Sequence, residues 1–232
     1  MLQSSGITSL FVDLNTLEDF FGARPVVLLS NPERTRANLR ELTSWLERHG
    51  EPLLSATDAH APDAPEFAAH GLPPHGVVGT PGAARIRETS RKHAPVIPAS
   101  GKRQPWPMIG ELAAKGGQLV LEKENFDLFD NPAAREVLKG FGARELILFG
   151  GLFAYDLRAT ALSARTLGYE VLILEDAIGI WNAPKAAEVR GELARRGVRF
   201  GATDQALQQL AQAQRRSARL ARAAGGRPEK PK

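Results

Sequence analysis

Several side chains able to do acid–base chemistry stand where apolar runs of this chain end. The run Ile7–Leu14 closes on Phe11-Val12-Asp13-Leu14-Asn15, which sets a carboxylate at the end of a buried strand. Low dielectric there disfavours the charged form, raises the pKa and makes Asp13 usable as an acid or base. A second apolar run, Leu119-Val120-Leu121-Glu122-Lys123, ends on an ammonium. After Pro52–Thr57 come Asp58 and His60, spaced i, i+2, so both point to one side if the strand persists. His75 follows in Pro73-Pro74-His75-Gly76-Val77-Val78-Gly79-Thr80-Pro81-Gly82. Asp156 opens a helical stretch after Gly150-Gly151, where aligned peptide dipoles favour negative charge. The chain contains no cysteine, which excludes disulfides, zinc–thiolate sites and thiol catalysis.

The elements that must position these groups alternate strand with helix. Ile7–Leu14, Pro52–Thr57, Gln118–Glu122, Glu145–Gly150, Glu170–Glu175 and Val198–Ala202 read as strands. Leu39, Leu42, Trp45 and Leu46 give Arg34–His49 helical spacing, and Gly50 ends it. Asn131-Pro132 caps a helix ending near Gly140, and further helices start at Asp156, Pro184 and Thr203. Near-continuous apolar strands between helices predict an α/β fold, a doubly wound parallel sheet covered on both faces. Such sheets place sites at the carboxyl ends of their strands, where all the groups above fall. The stretch Asp58–Gln118, rich in Pro, Gly and His, reads as a long functional loop.

With 232 residues and 43% hydrophobic content, one sizeable core is expected. The net charge of +4 is uneven: Arg215 to Lys232 holds seven Lys/Arg and one Glu, +6, leaving 4 − 6 = −2 for residues 1–214. We therefore expect one domain over 1–214 and a basic, disordered tail over 215–232. Arg215, Arg219 and Arg222 share a helical face, but the tail has no aromatic residue for base stacking, which argues against nucleic acid. No basic–apolar leader opens the chain and no apolar run approaches a membrane span, so a soluble, cytoplasmic protein is expected.

The stretch Leu146–Ala177, LILFGGLFAYDLRATALSARTLGYEVLILEDA, resembles the isochorismatase-like cysteine hydrolase superfamily, which includes nicotinamidases. The family segment reads roughly G-V-x-T-D-x-C-V-x-x-T-A. Gly150 takes the glycine, Thr160-Ala161 the T-A, and Asp156 the place of the nucleophilic cysteine. The family's V-D-x-Q is matched at Asp13, with Asn15 for the Gln; its V-x-x-K is matched at Lys123, before a segment ending in Asn131-Pro132. Its D-x-H and P-x-H-C-V-x-G-T-x-G are matched at Asp58, His60 and His75. The resemblance covers roughly residues 7–205.

It implies the three-layer isochorismatase-like fold, with six parallel strands in the order 3-2-1-4-5-6. It implies Asp13 as catalytic acid/base, Lys123 as the charge beside it, and Asp156 at the nucleophile position, the three converging at the carboxyl end of the sheet. It implies an oxyanion region from the N–H groups of Leu152 and Asp156, with a cis Gly151–Leu152 bond. Asp58, His60 and His75 are implied as ligands of a divalent metal (Zn, Mn, Fe or Mg), a set that leaves positions open for water or substrate. No organic cofactor is implied. The expected partner is a small molecule, with homo-oligomerisation left open. Three functions stay open: a small amide- or cyclic metabolite-binding protein that has lost thiol chemistry, a vinyl-ether hydrolase that needs no cysteine, and an amide or ester hydrolase using Asp13 and Asp156.

Overall fold

A computed structural model describes residues 9–101 and 106–224. Its strands are β1 (Ser9–Leu14), β2 (Leu53–Asp58), β3 (Val96–Ile97), β4 (Gln118–Lys123), β5 (Glu145–Leu152), β6 (Glu170–Gly179) and β7 (Arg199–Gly201). They form one parallel sheet in the order β3-β4-β2-β1-β5-β6-β7. The expected six strands in the order 3-2-1-4-5-6 are thereby corrected to seven in the order 3-4-2-1-5-6-7, the six expected strands keeping their neighbours among themselves. Val96–Ile97 adds a seventh strand outside β4, too short to show as an apolar run.

The helices are α1 (Glu18–Phe21), α2 (Pro32–Arg48), α3 (Pro65–His70), α4 (Trp106–Lys115), α5 (Ala134–Phe141), α6 (Arg158–Thr166), α7 (Ala183–Arg195) and α8 (Thr203–Ala224). The long stretch after Asp58 is therefore not a bare loop: it holds α3, two short 3₁₀ turns, β3 and α4. At the other end α8 runs unbroken past residue 214 to Ala224, and 225–232 of the expected tail lie outside the described residues.

Strand parity sorts the core into two layers. Leu10, Val12 and Leu14 of β1, with Leu54 and Ala56 of β2 and Leu119 and Leu121 of β4, pack with buried residues of α5, α6 and α7. Phe11, Leu53, Ile147 and Phe149 point the other way, onto Leu39, Leu42 and Leu46 of α2 and Ala206 and Leu207 of α8. Alternate residues of a strand must face opposite sides, so a sheet apolar on both faces needs both helical layers. The same rule places Asp13 on the face of Phe11 and α2, while Asp58 and Lys123 keep the parity of the α5 and α6 side.

Two features of β5 differ from expectation. Gly151–Leu152 is not cis; no cis bond occurs among the described residues. The α-helix starts at Arg158 rather than at Asp156, because a π-helical turn, Phe153–Leu157, intervenes. Gly150 has φ of +108°, and a Cβ there would lie 2.3 Å from the Leu14 carbonyl oxygen and 2.9 Å from Asp13 Oδ1. Only glycine tolerates both the dihedral and the approach. It lets the end of β5 pass tightly against the end of β1, where the β5–β6 register also shifts.

Candidate functional site

β2 and β4 set the first pair: Asp58 stands opposite Lys123 in the sheet register. Lys123 Nζ donates to Asp58 Oδ1 (2.5 Å), to Asp156 Oδ1 (2.8 Å) and to the Asn125 carbonyl (2.8 Å), satisfying all three protons. Asn15 makes a second bridge between the same carboxylates. Its Nδ2 donates to Asp58 Oδ2 (2.7 Å) and to Asp156 Oδ1 (2.6 Å), and its Oδ1 accepts from the Asp58 N–H (2.8 Å). Asn15 reaches across because its backbone turns left-handed, φ +48°, which Asn adopts more readily than most residues. Asp58, Asp156 and Lys123 are all buried.

Burial pushes the Lys123 ammonium down, but Asp156 and then Asp58 outweigh it and hold it above the usual lysine range. Burial also opposes ionisation of Asp58, yet Lys123 and the two imidazoles hold it well below the carboxylate norm. Asp156 goes the other way: burial raises it and the Asp58 charge adds, with Lys123 opposing. One ammonium between two carboxylates stabilises the charge of Asp58 more completely, which leaves Asp156 the easier of the two to protonate.

On the far side of Asp58 lie the imidazoles. His60 Nε2 is 3.4 Å and His75 Nε2 3.5 Å from Asp58 Oδ2. Glu66, at the start of α3, brings Oε1 to 3.5 Å from His60 Nε2 and 3.9 Å from His75 Nε2. Donor atoms about 2.0–2.1 Å from a tetrahedral ion stand roughly 3.4 Å apart, so these spacings fit a shared cation. Ligand atoms of Asp58, His60 and His75 all lie within 4.8 Å of one another. Both ring nitrogens of His60 and both oxygens of Glu66 are buried without a hydrogen-bond partner. Such orphaned groups are costly unless something binds them, and here the donor set suits a divalent ion.

The sequence around this group holds it in place. The His60 N–H donates to the Gly76 carbonyl (3.0 Å) and the Val78 N–H to the His60 carbonyl (3.1 Å), tying the two ligand segments together. Gly76 has φ +55°, and a Cβ there would sit 2.5 Å from that of Asp58. His75 Nδ1 pairs with the Pro73 carbonyl at 2.8 Å; as the donor, it leaves Nε2 with a lone pair toward Asp58. Phe67 meets His60 edge-on at 5.2 Å and Phe20 lies 5.1 Å from His75, ring centre to ring centre.

Asp13 is held elsewhere. Its Oδ2 accepts from Arg85, from Thr16 (3.0 Å) and from Ser55 (3.4 Å), and no hydrogen bond or ion pair joins it to Lys123 or Asp156. Parity is the reason: Asp13 faces α2, in register with Ser55, three residues before Asp58. Burial raises its pKa against the opposing Arg85 charge, and Oδ1 has no partner. Of the three residues expected to converge, the structure joins Lys123 to Asp156 directly and keeps Asp13 in its own cage. Sequence reasoning missed Glu66, Arg85 and Thr16, which stand in no motif. Asn15 was visible only as a departure from the family's Gln. Leu152 ends β5 and is buried; Asp156 is the fourth residue of the π-helical turn, a form often found at functional sites.

A parallel α/β sheet with a carboxylate–lysine pair and an Asp-His-His group at the carboxyl ends of its strands defines a class of hydrolase folds. The chain belongs to the isochorismatase family, whose domain model matches residues 9–205. No curated protein matches it. Among solved structures it is similar to an isochorismatase-like hydrolase from Alkaliphilus metalliredigens, at 18% identity and a TM-score of 0.69, covering 88% of this chain and 100% of that one. It is also similar to N-carbamoylsarcosine amidase from Thermoplasma acidophilum, at 22% identity and a TM-score of 0.65, over 85% of this chain and 98% of that one. Pyrazinamidase of Pyrococcus horikoshii in complex with zinc is a third, at 19% identity and a TM-score of 0.66, over 84% and 99%. Among the described residues, no helix is long and apolar enough to cross a membrane.

Proposed function

We propose that this protein binds a divalent metal and a small amide or cyclic metabolite, and has lost thiol-dependent amide hydrolysis. The observation that supports this most is the engagement of Asp156. Its Oδ1 accepts from both Lys123 and Asn15, the same two groups that fix Asp58. Oδ1 is thereby committed to bracing a neighbouring ligand group, and the residue is buried. Attack by Asp156 on an amide would also form an anhydride, where cysteine forms a thioester, and carboxylate is the weaker nucleophile.

Asp58, His60 and His75, with Glu66, would hold the metal; when bound, it supplies Lewis acidity toward a ligand carbonyl or water. Zinc fits the donor set, as do manganese and iron, whereas magnesium prefers oxygen ligands. Leu152 and Asp156 are proposed to present their N–H groups to the carbonyl oxygen. Lys123 keeps Asp58 ionised toward the imidazoles.

One observation favours a second reading, hydrolysis without a cysteine. Asp13 Oδ1 is buried and unpartnered, and burial raises the carboxyl pKa. Asp13 would then protonate a vinyl ether as a general acid, with water completing the cleavage. Metal-loaded protein screened against nicotinamide, carbamoyl amides and isochorismate-like vinyl ethers separates the readings. Thermal stabilisation by small cyclic amides without turnover supports the first. Vinyl-ether turnover lost in Asp13→Asn supports the second, and amide turnover overturns the first.

A further inference from the structure

Residues 78–81 form an exposed turn shortly after His75, and one side chain sits against both of its flanks. Asp19 Oδ2 accepts from the Gly76 N–H at 2.9 Å. Asp19 Oδ1 lies against Gly82, where a Cβ would collide with the carboxylate. Gly82 has no positive φ, so the Asp19 side chain, and not the backbone, opposes a side chain there.

Asp19 is itself fixed. It belongs to α1, is half-buried, and its carbonyl accepts from the Val26 N–H at 2.7 Å. The Glu18 N–H donates to the Ala84 carbonyl (2.8 Å) and the Ile86 N–H to the Thr16 carbonyl (2.8 Å), so the chain entering α1 pairs with the chain leaving the turn. Phe20, the next residue, is buried and packs on the His75 ring.

Gly76 is the joint. Its N–H lies in the peptide plane that also carries the His75 carbonyl, and its own carbonyl accepts from the His60 N–H at 3.0 Å. Asp19 and His60 therefore hold the two peptide planes on either side of the Gly76 Cα. Glycine resists rotation less than any other residue, so these planes are held by their partners. Gly76 is buried, and its N–H would be left without an acceptor if Asp19 were removed. The first plane would then turn and carry with it the His75 imidazole, whose Nε2 stands 3.5 Å from Asp58 Oδ2.

We propose that Asp19 is a positioning residue of the metal site, acting through Gly76 to keep His75 aimed at the ion. This rests on the reading of Asp58, His60 and His75 as ligands.

The test is the zinc affinity of the full chain, by competition with a chromogenic chelator, beside amide hydrogen exchange at Gly76 in metal-free protein by NMR. Asp19→Ala should weaken zinc binding about 10–100-fold, the usual effect of losing a group that orients a metal's ligands, and should speed exchange at Gly76. Asp19→Asn keeps an acceptor oxygen at the same reach and should hold both quantities near the parent's. Gly82→Ala should reproduce Asp19→Ala, because its methyl displaces the carboxylate. Asp19→Ala/Gly82→Ala should then bind no more weakly than Asp19→Ala alone. Zinc affinity or Gly76 exchange unchanged in Asp19→Ala overturns the proposal. Equal losses in Asp19→Asn and Asp19→Ala do so too, as do losses that add in the double variant. A parent that binds no zinc sinks the ligand reading and this role with it, whereas zinc binding indifferent to Asp19→Ala sinks this role alone.

Discussion

Replacing Lys123 with methionine keeps the stem's bulk and removes the ammonium. Three contacts go at once: those to Asp58 at 2.5 Å, to Asp156 at 2.8 Å and to the Asn125 carbonyl at 2.8 Å. Two buried carboxylates are then left facing one another with only Asn15 between them. Removing one partner of a buried ion pair costs about 3–5 kcal/mol, because the remaining charge stays desolvated. For a domain of this size, about 2–4 °C accompanies each kcal/mol, so the thermal midpoint should fall by roughly 6–20 °C. Urea unfolding of metal-free protein measures the loss. Lys123→Met/Asp156→Leu supplies the decisive comparison, since it removes one of the stranded carboxylates. The double variant should be more stable than the sum of the single losses implies, with a coupling of about 0.5–3 kcal/mol. A loss below about 1 kcal/mol for Lys123→Met, or strict additivity in the cycle, would refute the claim that one ammonium holds both carboxylates in the fold.

Protein purified without chelator should carry about one divalent ion per chain by elemental analysis, and chelation should lower its thermal midpoint. Glu66→Gln should weaken zinc binding at least about tenfold in competition with a chromogenic chelator; unchanged affinity would remove Glu66 from the ligand set. Gly150→Ala should destabilise by about 2 kcal/mol or more, because it forces a side chain to φ +108° against the Leu14 carbonyl. Chemical denaturation of that variant measures the cost, and a neutral outcome would show that β5 can shift away from β1.

The sheet was legible because its strands are near-continuous apolar runs between helical patterns, and the site because the strand ends carry charged groups. Val96–Ile97 escaped notice since two residues carry no period, and its edge place comes from pairing with Val120 and Leu121. The expectation that Asp13 lies beside Lys123 followed the motifs; the hydrogen bonds of its Oδ2 run to Arg85, Thr16 and Ser55, which no motif signals. Leu10, Val12 and Leu14 face α5 and α6 while Phe11, and so Asp13, faces α2, an alternation visible in the sequence itself. Glu66 and Arg85 could not be found that way. Each joins the site through contacts between distant segments, and neither stands at a spacing that signals its role. The π-helical turn at Asp156 was equally hidden, because its residues differ little from those of an ordinary helix start.

The central claim is that Asp156 stands in the nucleophile's place, beside the Lys123 ammonium. Asp156→Cys tests it most directly, by thiol alkylation across pH with ammonia release from nicotinamide followed in parallel for parent and variant. The Lys123 ammonium, 2.8 Å from the replaced carboxylate oxygen, should hold the new thiol in the range of about 3.5–7.5 seen for activated cysteines. The parent should release no ammonia above the uncatalysed rate, and the variant should alkylate rapidly at neutral pH. A thiol as unreactive as an ordinary buried cysteine, or parental turnover that persists in Asp156→Ala, would contradict the account.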